Sequence, residues 1–366
     1  MLFDFFPSRK LTWYLARTFI TRILAMLIML VVVLLALDLL AKTGDILAYE
    51  GNGQADILRY AGYRMPQLFA RFMPYSVLLA TIITLATLNQ NSEVVAMKAA
   101  GLSAHQILAP FILTALIVAI ASFVFNERVV TQATANLQAW EGVDYGPVPE
   151  DTGTRTNVFL TDGQDVLMAR TVSGSGAGTV MRGVTFYSRD GSGMIRQRVN
   201  ASGATYTGEG WLLADPQGFD VASASEREYD APLVVAPQLG PEEVALGKVN
   251  PDAQSLSELS ASIEALKATG RRTAELEGKW WHKFSGPLSA VLMPLLGAVA
   301  GFGLARSGQL FARAVIGMAL GFAYFVVDNA ALAMGSFGGY PPLLAAWAPF
   351  FLFLLIGETV LIRTEE

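Results

Sequence analysis

The chain has 366 residues, of which 53% are hydrophobic and 16% are charged, and its formal net charge is -5 at pH 7. Soluble domains carry about 25% charged residues, so this composition argues against a soluble globule, and the acidic balance argues against a nucleic-acid partner. Cysteine is absent, which excludes disulfides and thiolate metal sites. The two histidines, His105 and His282, lie far apart in the sequence, which argues against a histidine-built metal or catalytic site.

Six apolar stretches are each close to the ~20 residues that a helix needs to cross the hydrocarbon core of a membrane. They are approximately Leu15–Leu40, Phe72–Leu88, Ile107–Phe125, Pro287–Leu304, Val315–Met334 and Leu343–Ile362. The sequence therefore predicts an α-helical membrane protein with six transmembrane helices. The first stretch is too long for a cleavable signal peptide, and we expect it to be retained as an anchor.

The connection between the second and third stretches has the residues of a short capped helix. Asn91 and Ser92 are suited to cap its N-terminus, residues 93–100 make about two turns, and Gly101 is suited to end it. Ser103 with a glutamine three residues later is a capping box for the third span.

Two charges in this connection match the dipole of such a helix. Glu93 lies in the first turn and Lys98 lies near the last. A short helix across the cytoplasmic mouth of a membrane bundle is the surface that a transporter offers to a motor domain. An ordinary interfacial helix explains the same residues equally well, so both interpretations stay open.

Basic residues near the helix ends predict the orientation, because cytoplasmic loops are enriched in lysine and arginine. The basic residues on one side are Arg9, Lys10, Arg17, Arg22, Lys98, Arg306, Arg313 and Arg363. The opposite short loops have fewer, chiefly Lys42, Arg59 and Arg64. We therefore expect cytoplasmic N- and C-termini and an extracytoplasmic location for the polar middle of the chain.

The middle of the chain changes character completely. Runs with apolar residues at every second position, such as Asp165–Val172 and Thr179–Ser188, are separated by turns rich in aspartate and glycine, such as Asp190–Gly193. This alternation is typical of antiparallel strands with one buried face. We expect residues 130–250 to form an all-β sandwich or jelly roll inserted between helical segments of residues 1–129 and 279–366.

An amphipathic helix is predicted between the β-region and the fourth span, within residues 251–278. Leu256, Leu259, Ile263 and Leu266 recur at helical spacing, and Gly270 ends the pattern. We interpret this segment as a connector.

Motifs of ATP hydrolysis and of common intramembrane enzymes are absent from the sequence. The glycine cluster Gly174–Gly178 is followed by Thr179 and Val180 instead of lysine with serine or threonine, so it is a hairpin tip and not a phosphate-binding loop. Neither a G-x-S-x-G elbow nor an H-E-x-x-H pair occurs. We expect no cofactor in this chain, and energy for any transport must come from a partner.

Ionisable residues at membrane depth cost about 2.5–3.5 kcal/mol on insertion scales and therefore need partners or a polar cavity. Asp38, Lys42 and Asp328 lie toward the outer ends of their predicted helices, and Asp38 precedes Lys42 by four residues, the favourable order for an ion pair on one helix.

The aromatic residues Phe69, Phe72, Tyr75 and Phe325 suit the walls of an acyl-chain cavity, and they equally suit helix packing or lipid contact.

Several segments resemble a known family. Asn91–Gly101 is similar to the segment "SE-hydrophobic-V-M-x-A-x-G" of the LptF/LptG permeases of lipopolysaccharide export. Further similar segments are Leu37–Gly44, Pro251 and Asp252 with Leu256 and Ser257, Trp281 and Lys283 before Pro287 and Leu288, and Phe325–Asn329. The resemblance covers essentially the whole chain, and Asn91–Lys98 with Asp328 and Asn329 are closer to the LptG branch than to the LptF branch.

The resemblance implies half of an ABC transporter in the bacterial inner membrane. The expected partners are an LptF-like permease, two LptB-like ATPases that bind ATP and Mg, and an LptC-like β-jelly-roll protein of the periplasmic bridge. The expected substrate is lipopolysaccharide. Two alternatives remain, namely an LptF-like subunit of the same transporter and a membrane-anchored scaffold protein whose periplasmic β-domain recruits a partner.

The sequence predicts two groups of site residues. The ATPase-coupling residues are Ser92, Glu93, Val94, Val95, Met97, Lys98 and Gly101. The candidates for the lipid cavity are Asp38, Lys42, Phe69, Phe72, Tyr75, Phe325 and Asp328. Lys42 is expected to meet a lipid A phosphate, but Leu35 and Ala41 stand where some relatives carry lysines, which weakens the case for a strong phosphate clamp.

Overall fold

A computed structural model describes residues 6–147, 155–174, 176–229, 232–237, 239–241, 249–268, 271–301 and 310–365. The chain divides into two compact units. The helical unit comprises Met1–Leu137, Pro251–Ile263 and Arg272–Glu366, and the β unit comprises Gln138–Asn250 and Glu264–Arg271.

The described helices are α1 Arg9–Leu47, α2 Gln54–Gln90, α3 Glu93–Ala99, α4 Ala104–Phe125, α5 Thr131–Glu141, α6 Leu256–Ala268, α7 Ala274–Leu288, α8 Leu292–Gly301, α9 Leu310–Ser336 and α10 Pro342–Glu365. A π-helical turn at Asn126–Val130 joins α4 to α5, and a 3₁₀ turn at Ser289–Val291 joins α7 to α8. Helix α6 is observed where the spacing of leucines predicted a connector helix.

Five segments among the described residues are long and apolar enough to cross a membrane. They are Arg9–Leu47, Gln54–Gln90, Ala104–Glu141, Ala314–Ser336 and Pro342–Arg363. The multi-pass helical architecture predicted from the sequence is thus confirmed in outline.

The fourth predicted span, Pro287–Leu304, falls on a broken helix. It covers the end of the 15-residue α7, the 3₁₀ turn and the 10-residue α8, and residues 302–304 lie outside the described part of the chain. Pro287 and Pro294 flank the turn, and each lacks the amide hydrogen that would continue the helical ladder. The 3₁₀ interruption therefore coincides with two prolines, which the count of apolar residues does not reveal.

The helices of the helical unit pack closely against one another through apolar and small side chains. Leu15, Phe19 and Ile23 form one buried stripe of α1, and the Phe19 ring lies 4.8 Å from that of Phe111 on α4. At Gly297, a Cβ atom would lie 2.8 Å from the Thr81 Cγ2 atom on α2. Small residues at such crossings let helix backbones approach each other, which is the main source of van der Waals stabilisation between membrane helices.

The β unit contains an antiparallel sheet whose described strands are β1 Arg155–Asp162, β2 Asp165–Ser173, β3 Val180–Arg189, β4 Ile195–Tyr206, β5 Trp211–Ala214, β6 Gln217–Asp220, β7 Ser225–Glu228 and β8 Leu233–Val235. The strand order is β1-β2-β3-β4-β5-β8, and the long strand β4 also pairs with β6, which pairs with β7. The predicted antiparallel β-region is therefore present.

One face of this sheet is closed by apolar side chains. Leu167, Met181, Val184 and Trp211 are nearly or fully buried, and the Trp211 indole N–H donates to the Leu239 carbonyl at 2.8 Å. A buried indole needs such an acceptor, because leaving its N–H without a bond carries a desolvation cost.

The predicted Asp190–Gly193 turn is held by the side chain of its first residue. Asp190 Oδ1 accepts from the Ser192 hydroxyl at 2.6 Å and from the backbone N–H groups of Ser192 and Met194 at 2.9 and 3.0 Å. These hydrogen bonds, chiefly that from the Ser192 hydroxyl, lower the pKa of Asp190 because they favour the ionised carboxylate.

Candidate functional site

Helix α3 occupies the connection between the second and third spans, as predicted, but it begins differently. Ser92 lies in the left-handed region, with φ 60 and ψ 14, and its side chain makes no capping hydrogen bond within the described residues. The predicted cap by Asn91 and Ser92 is therefore wrong. A non-glycine residue in this region is strained and persists only where the surrounding structure fixes it.

The end of α3 and the start of α4 follow the local sequence signals. Gly101 has φ +87, and its N–H bonds to the Lys98 carbonyl at 2.9 Å. The Ser103 hydroxyl accepts from the Gln106 N–H at 3.2 Å, and the Gln106 side chain accepts from the Ser103 N–H at 3.0 Å. The predicted capping box is confirmed.

Glu93 is attached to α1 by a contact that the sequence did not indicate. The Tyr14 hydroxyl donates to Glu93 Oε2 at 3.1 Å, and the Asn91 side-chain amide donates to Oε1 at 3.3 Å. Both bonds hold the carboxylate beside the first turn of α3, where the helix dipole favours a negative charge.

The apolar residues of α3 divide between two directions. Val94 and Met97 are 4% and 8% exposed and pack into the helical core, whereas Val95 is 56% exposed. Lys98 is also exposed. Of the three apolar residues predicted to seat an ATPase, only Val95 presents a substantial surface, because the other two anchor α3 to this chain.

The predicted pairing of Asp38 with Lys42 is replaced by a contact between α1 and α2. Asp38 Oδ2 accepts from Arg64 Nε at 3.0 Å and from the Tyr60 hydroxyl at 2.8 Å, and Arg64 Nη2 donates to Oδ1 at 3.2 Å. Lys42 lies instead 3.3 Å from Asp45 Oδ2 on the exposed end of α1. The planar guanidinium binds both carboxylate oxygens, an arrangement that one ammonium cannot match.

Four aromatic candidates for the lipid cavity lie on α2 and α9. The Tyr75 ring stacks on Phe325 with centroids 3.8 Å apart and lies 5.5 Å from the Phe72 ring. Phe69 is partly buried beside the apolar cluster of Leu27, Val31 and Leu68. The structure brings Phe72, Tyr75 and Phe325 together, with Phe325 almost wholly buried.

Asp328, the remaining candidate, is turned into the helical unit. It is 5% exposed, and its Oδ2 atom lies 3.0 Å from Nε2 of His282 on α7. Nearby residues of the helical unit also form an ion pair, which joins Lys283 Nζ to Glu127 Oε1 at 2.7 Å and is largely buried, and Glu127 Oε2 also accepts from the Leu256 N–H at 2.7 Å. Sequence analysis did not include His282, Lys283 or Glu127 among the site residues, because their partners lie far away in the sequence.

The comparison with known proteins gives these contacts a functional setting. The family model described as "Lipopolysaccharide export system permease LptF/LptG" matches residues 13–363. The chain belongs to the LptF/LptG family. That family supplies a permease component of the lipopolysaccharide export system and not its catalytic enzyme, and the helical architecture with a β unit fits that role.

Curated members of the LptF/LptG family match almost the whole chain. The lipopolysaccharide export system permease protein LptG of Escherichia coli strain K12 is 26% identical over 365 residues, covering 98% of this chain and 99% of the relative. LptG of Haemophilus influenzae is 24% identical over 367 residues, covering 96% and 98%. The sequence-based assignment to this family, with the greater likeness to LptG, is confirmed.

Proposed function

We propose that this chain is the LptG-type permease subunit of an ABC transporter that extracts lipopolysaccharide from the inner membrane and passes it to a periplasmic bridge. The observation that carries the proposal is that proteins named LptG match nearly the whole of this chain over nearly the whole of their own length. Helix α3 adds a physical reason, since its strained start and buried Val94 and Met97 make it a firm attachment for a motor domain.

The proposed topology has six spans, with α7 and α8 supplying the fourth as a broken helix. Both termini and α3 lie on the cytoplasmic side, and the β unit is a periplasmic jelly roll. The proposed division of the chain is residues 1–129 for the first three spans with α3, residues 130–250 for the β-domain preceded by α5, residues 251–278 for the connector helix and residues 279–366 for the last three spans. The absence of native cysteine makes labelling clean: Glu209→Cys, in an exposed turn before β5, should react with an impermeant maleimide in intact cells. Ala100→Cys, exposed at the end of α3, should react only after permeabilisation.

The proposed complex contains an LptF-like permease, two LptB-like ATPases holding ATP and Mg, and an LptC-like protein. A second permease is proposed because six helices are few for a complete lipid cavity. In the described sheet β1 pairs only with β2, so its other edge is available to extend the sheet with a bridge protein.

The proposed lipid cavity uses the aromatic contact between α2 and α9. Phe72 and Tyr75 retain partly exposed ring surface that suits acyl chains, and Phe69 extends this surface along α2. Lys42, at the outer end of α1, is the proposed partner for a lipid phosphate. Asp38 and Asp328 act indirectly, because their carboxylates are engaged by Arg64 and His282.

Glu93 offers a decisive experiment for the coupling role of α3. Glu93→Ala should reduce recovery of the ATPase on affinity purification and reduce lipid release from proteoliposomes that contain all subunits. Tyr14→Phe is the matched control, because it removes the contact with α1 and leaves the carboxylate in place. It should lower thermal stability slightly, since one hydrogen bond to a charged group contributes about 1.5–3 kcal/mol before exposure weakens it, and it should leave ATPase recovery unchanged.

Two outcomes would count against this proposal. Wild-type ATPase recovery for both Glu93→Ala and Val95→Asp would show that α3 is an ordinary interfacial helix. Co-purification with a second LptG-like permease, in place of an LptF-like one, would reassign this chain to the LptF position.

A further inference from the structure

Five polar or aromatic side chains lie along one side of α2, at intervals of three or four residues. They are Tyr60, Arg64, Gln67, Arg71 and Tyr75. Tyr60 and Arg64 both donate to Asp38 of α1, and Arg64 also donates to the Gln67 side chain at 2.7 Å. The part of this side nearest the α1–α2 connection is therefore closed by hydrogen bonds within the chain.

Arg71 differs from Arg64 because the described part of the chain supplies it with no anion. Arg64 binds both carboxylate oxygens of Asp38, whereas Arg71 is exposed and forms no ion pair with any residue that the structure describes. The charge of Arg71 acts on the hydroxyl of Tyr75, one turn further along α2. A neutral phenol leaves that positive charge uncompensated.

The position of Arg71 makes an uncompensated charge costly. It lies seven residues beyond Arg64, which places it about 10 Å further from the α1–α2 connection. Its neighbours Leu68 and Phe72 pack in a cluster with Leu27, inside the apolar run of α1. An ionisable side chain among the apolar residues of a spanning helix needs a counter-charge or a polar cavity. Arg71 therefore indicates an anion that comes from outside the described chain.

A partly exposed aromatic surface adjoins this guanidinium. Phe72 follows Arg71 directly, and the Tyr75 ring stacks on Phe325 of α9 with centroids 3.8 Å apart. Phe72 and Tyr75 both keep part of their surface exposed. A cation beside exposed rings suits an amphiphile, because its anionic group can bind the cation while its hydrocarbon chains cover the rings.

We propose that Arg71 binds a phosphate group of the transported lipid, whose acyl chains lie on the aromatic contact between α2 and α9; this rests on the function proposed above. A guanidinium donates two parallel hydrogen bonds to a phosphate, which gives geometric selectivity as well as attraction. Lys42, the phosphate partner proposed above, already lies 3.3 Å from Asp45. Arg71 would thus make the cavity selective for phosphorylated lipid.

Binding of lipid A and of dephosphorylated lipid A to the transporter, purified with its partners, tests this role. Wild type should bind the phosphorylated form roughly tenfold more tightly, and Arg71→Gln should lose most of that preference. Arg71→Lys keeps the charge without the planar fork and should fall between the two. Equal affinities of wild type and Arg71→Gln for phosphorylated lipid A would overturn the proposal for Arg71 alone. Failure of wild type to bind either form would refute the proposed function as well.

Melting temperatures measured without lipid separate a binding role from a structural one. Arg71→Gln should melt at or above the wild-type temperature, because no described residue loses a partner. Arg64→Gln is the matched control on the same side of α2, and it should melt lower because Asp38 loses its guanidinium. A lower melting temperature for Arg71→Gln than for Arg64→Gln would contradict the proposal.

The source of the anion is decided by adding ligands to the same proteins. Lipid A should raise the melting temperature of wild type but not that of Arg71→Gln, since only a protein that binds the lipid is stabilised by it. An equal, Arg71-dependent rise with phosphatidylglycerol would assign the site to bulk phospholipid and overturn the proposal. Reduced recovery of the second permease with Arg71→Gln would assign the charge to a carboxylate of that partner, with the same consequence.

Discussion

Breaking the ion pair between Glu127 and Lys283 should cost far more stability than breaking the exposed pair of Lys42 with Asp45. Its two side chains are only 16% and 10% exposed, and its atoms are 2.7 Å apart. Removing one partner of a buried pair costs about 3–5 kcal/mol, because the other charge is left buried and unpaired. Glu127 would keep the bond from the Leu256 N–H, so we place Lys283→Met at the lower end, about 3 kcal/mol.

The matched control is Lys42→Met, which removes the same group from a pair whose side chains are 41% and 60% exposed. Exposed pairs contribute about 0–1 kcal/mol, so this variant should unfold almost like wild type. Adding Glu127→Gln to Lys283→Met should recover part of the lost stability, because the unpaired charge disappears. Denaturant unfolding of the purified chain in mild detergent measures all four proteins. A Lys283→Met variant no less stable than Lys42→Met, or a double variant less stable than Lys283→Met, would refute the reasoning.

Substitutions at Gly297, Arg64 and Asp190 test three further contacts. Gly297→Ala should cost about 1–3 kcal/mol in unfolding free energy through overpacking. Gly62→Ala should be neutral or stabilising, because a Cβ atom at Gly62 would have no other atom within 4 Å. Arg64→Met should cost about 1–3 kcal/mol in unfolding free energy by leaving Asp38 without its guanidinium, clearly more than Lys42→Met. If Lys42→Met were the more destabilising of the two, Asp38 would be paired with Lys42 and not with Arg64. The lowered pKa of Asp190 means that its turn contributes stability above the ordinary value of 3.8, and that contribution is lost as pH falls toward the lowered pKa; Asp190→Asn should abolish this part of the acid dependence in a pH series of melting curves.

Local sequence patterns predicted the features that depend on neighbouring residues. The capping box of α4 joins residues three positions apart, and the Asp190 turn is closed within four residues. Such contacts need little from the rest of the chain, because the partners are brought together by one turn of backbone, but the predicted cap of α3 by Asn91 and Ser92 shows that local signals can still be overridden. Apolar stretches and strand alternation likewise reflect one face of one element, so the helical spans, the β-region and the family were accessible from the sequence.

The pairing of charged groups depended on which helix faces meet in the folded chain. Asp38 and Arg64 are 26 residues apart, His282 and Asp328 are 46 apart, and Glu127 and Lys283 are 156 apart. Local reasoning noted Asp38 and Lys42 as a possible pair because both lie on one helix, and it could not place His282 against Asp328 because the rotation of their two helices was not known. Spacing along a helix states which residues share a face, but only packing against neighbours determines what that face contacts. The sequence by itself thus determined the elements and the family. Tertiary structure decided the ion pairs, the inward direction of Val94 and Met97, and the contact of His282 with Asp328 between α7 and α9.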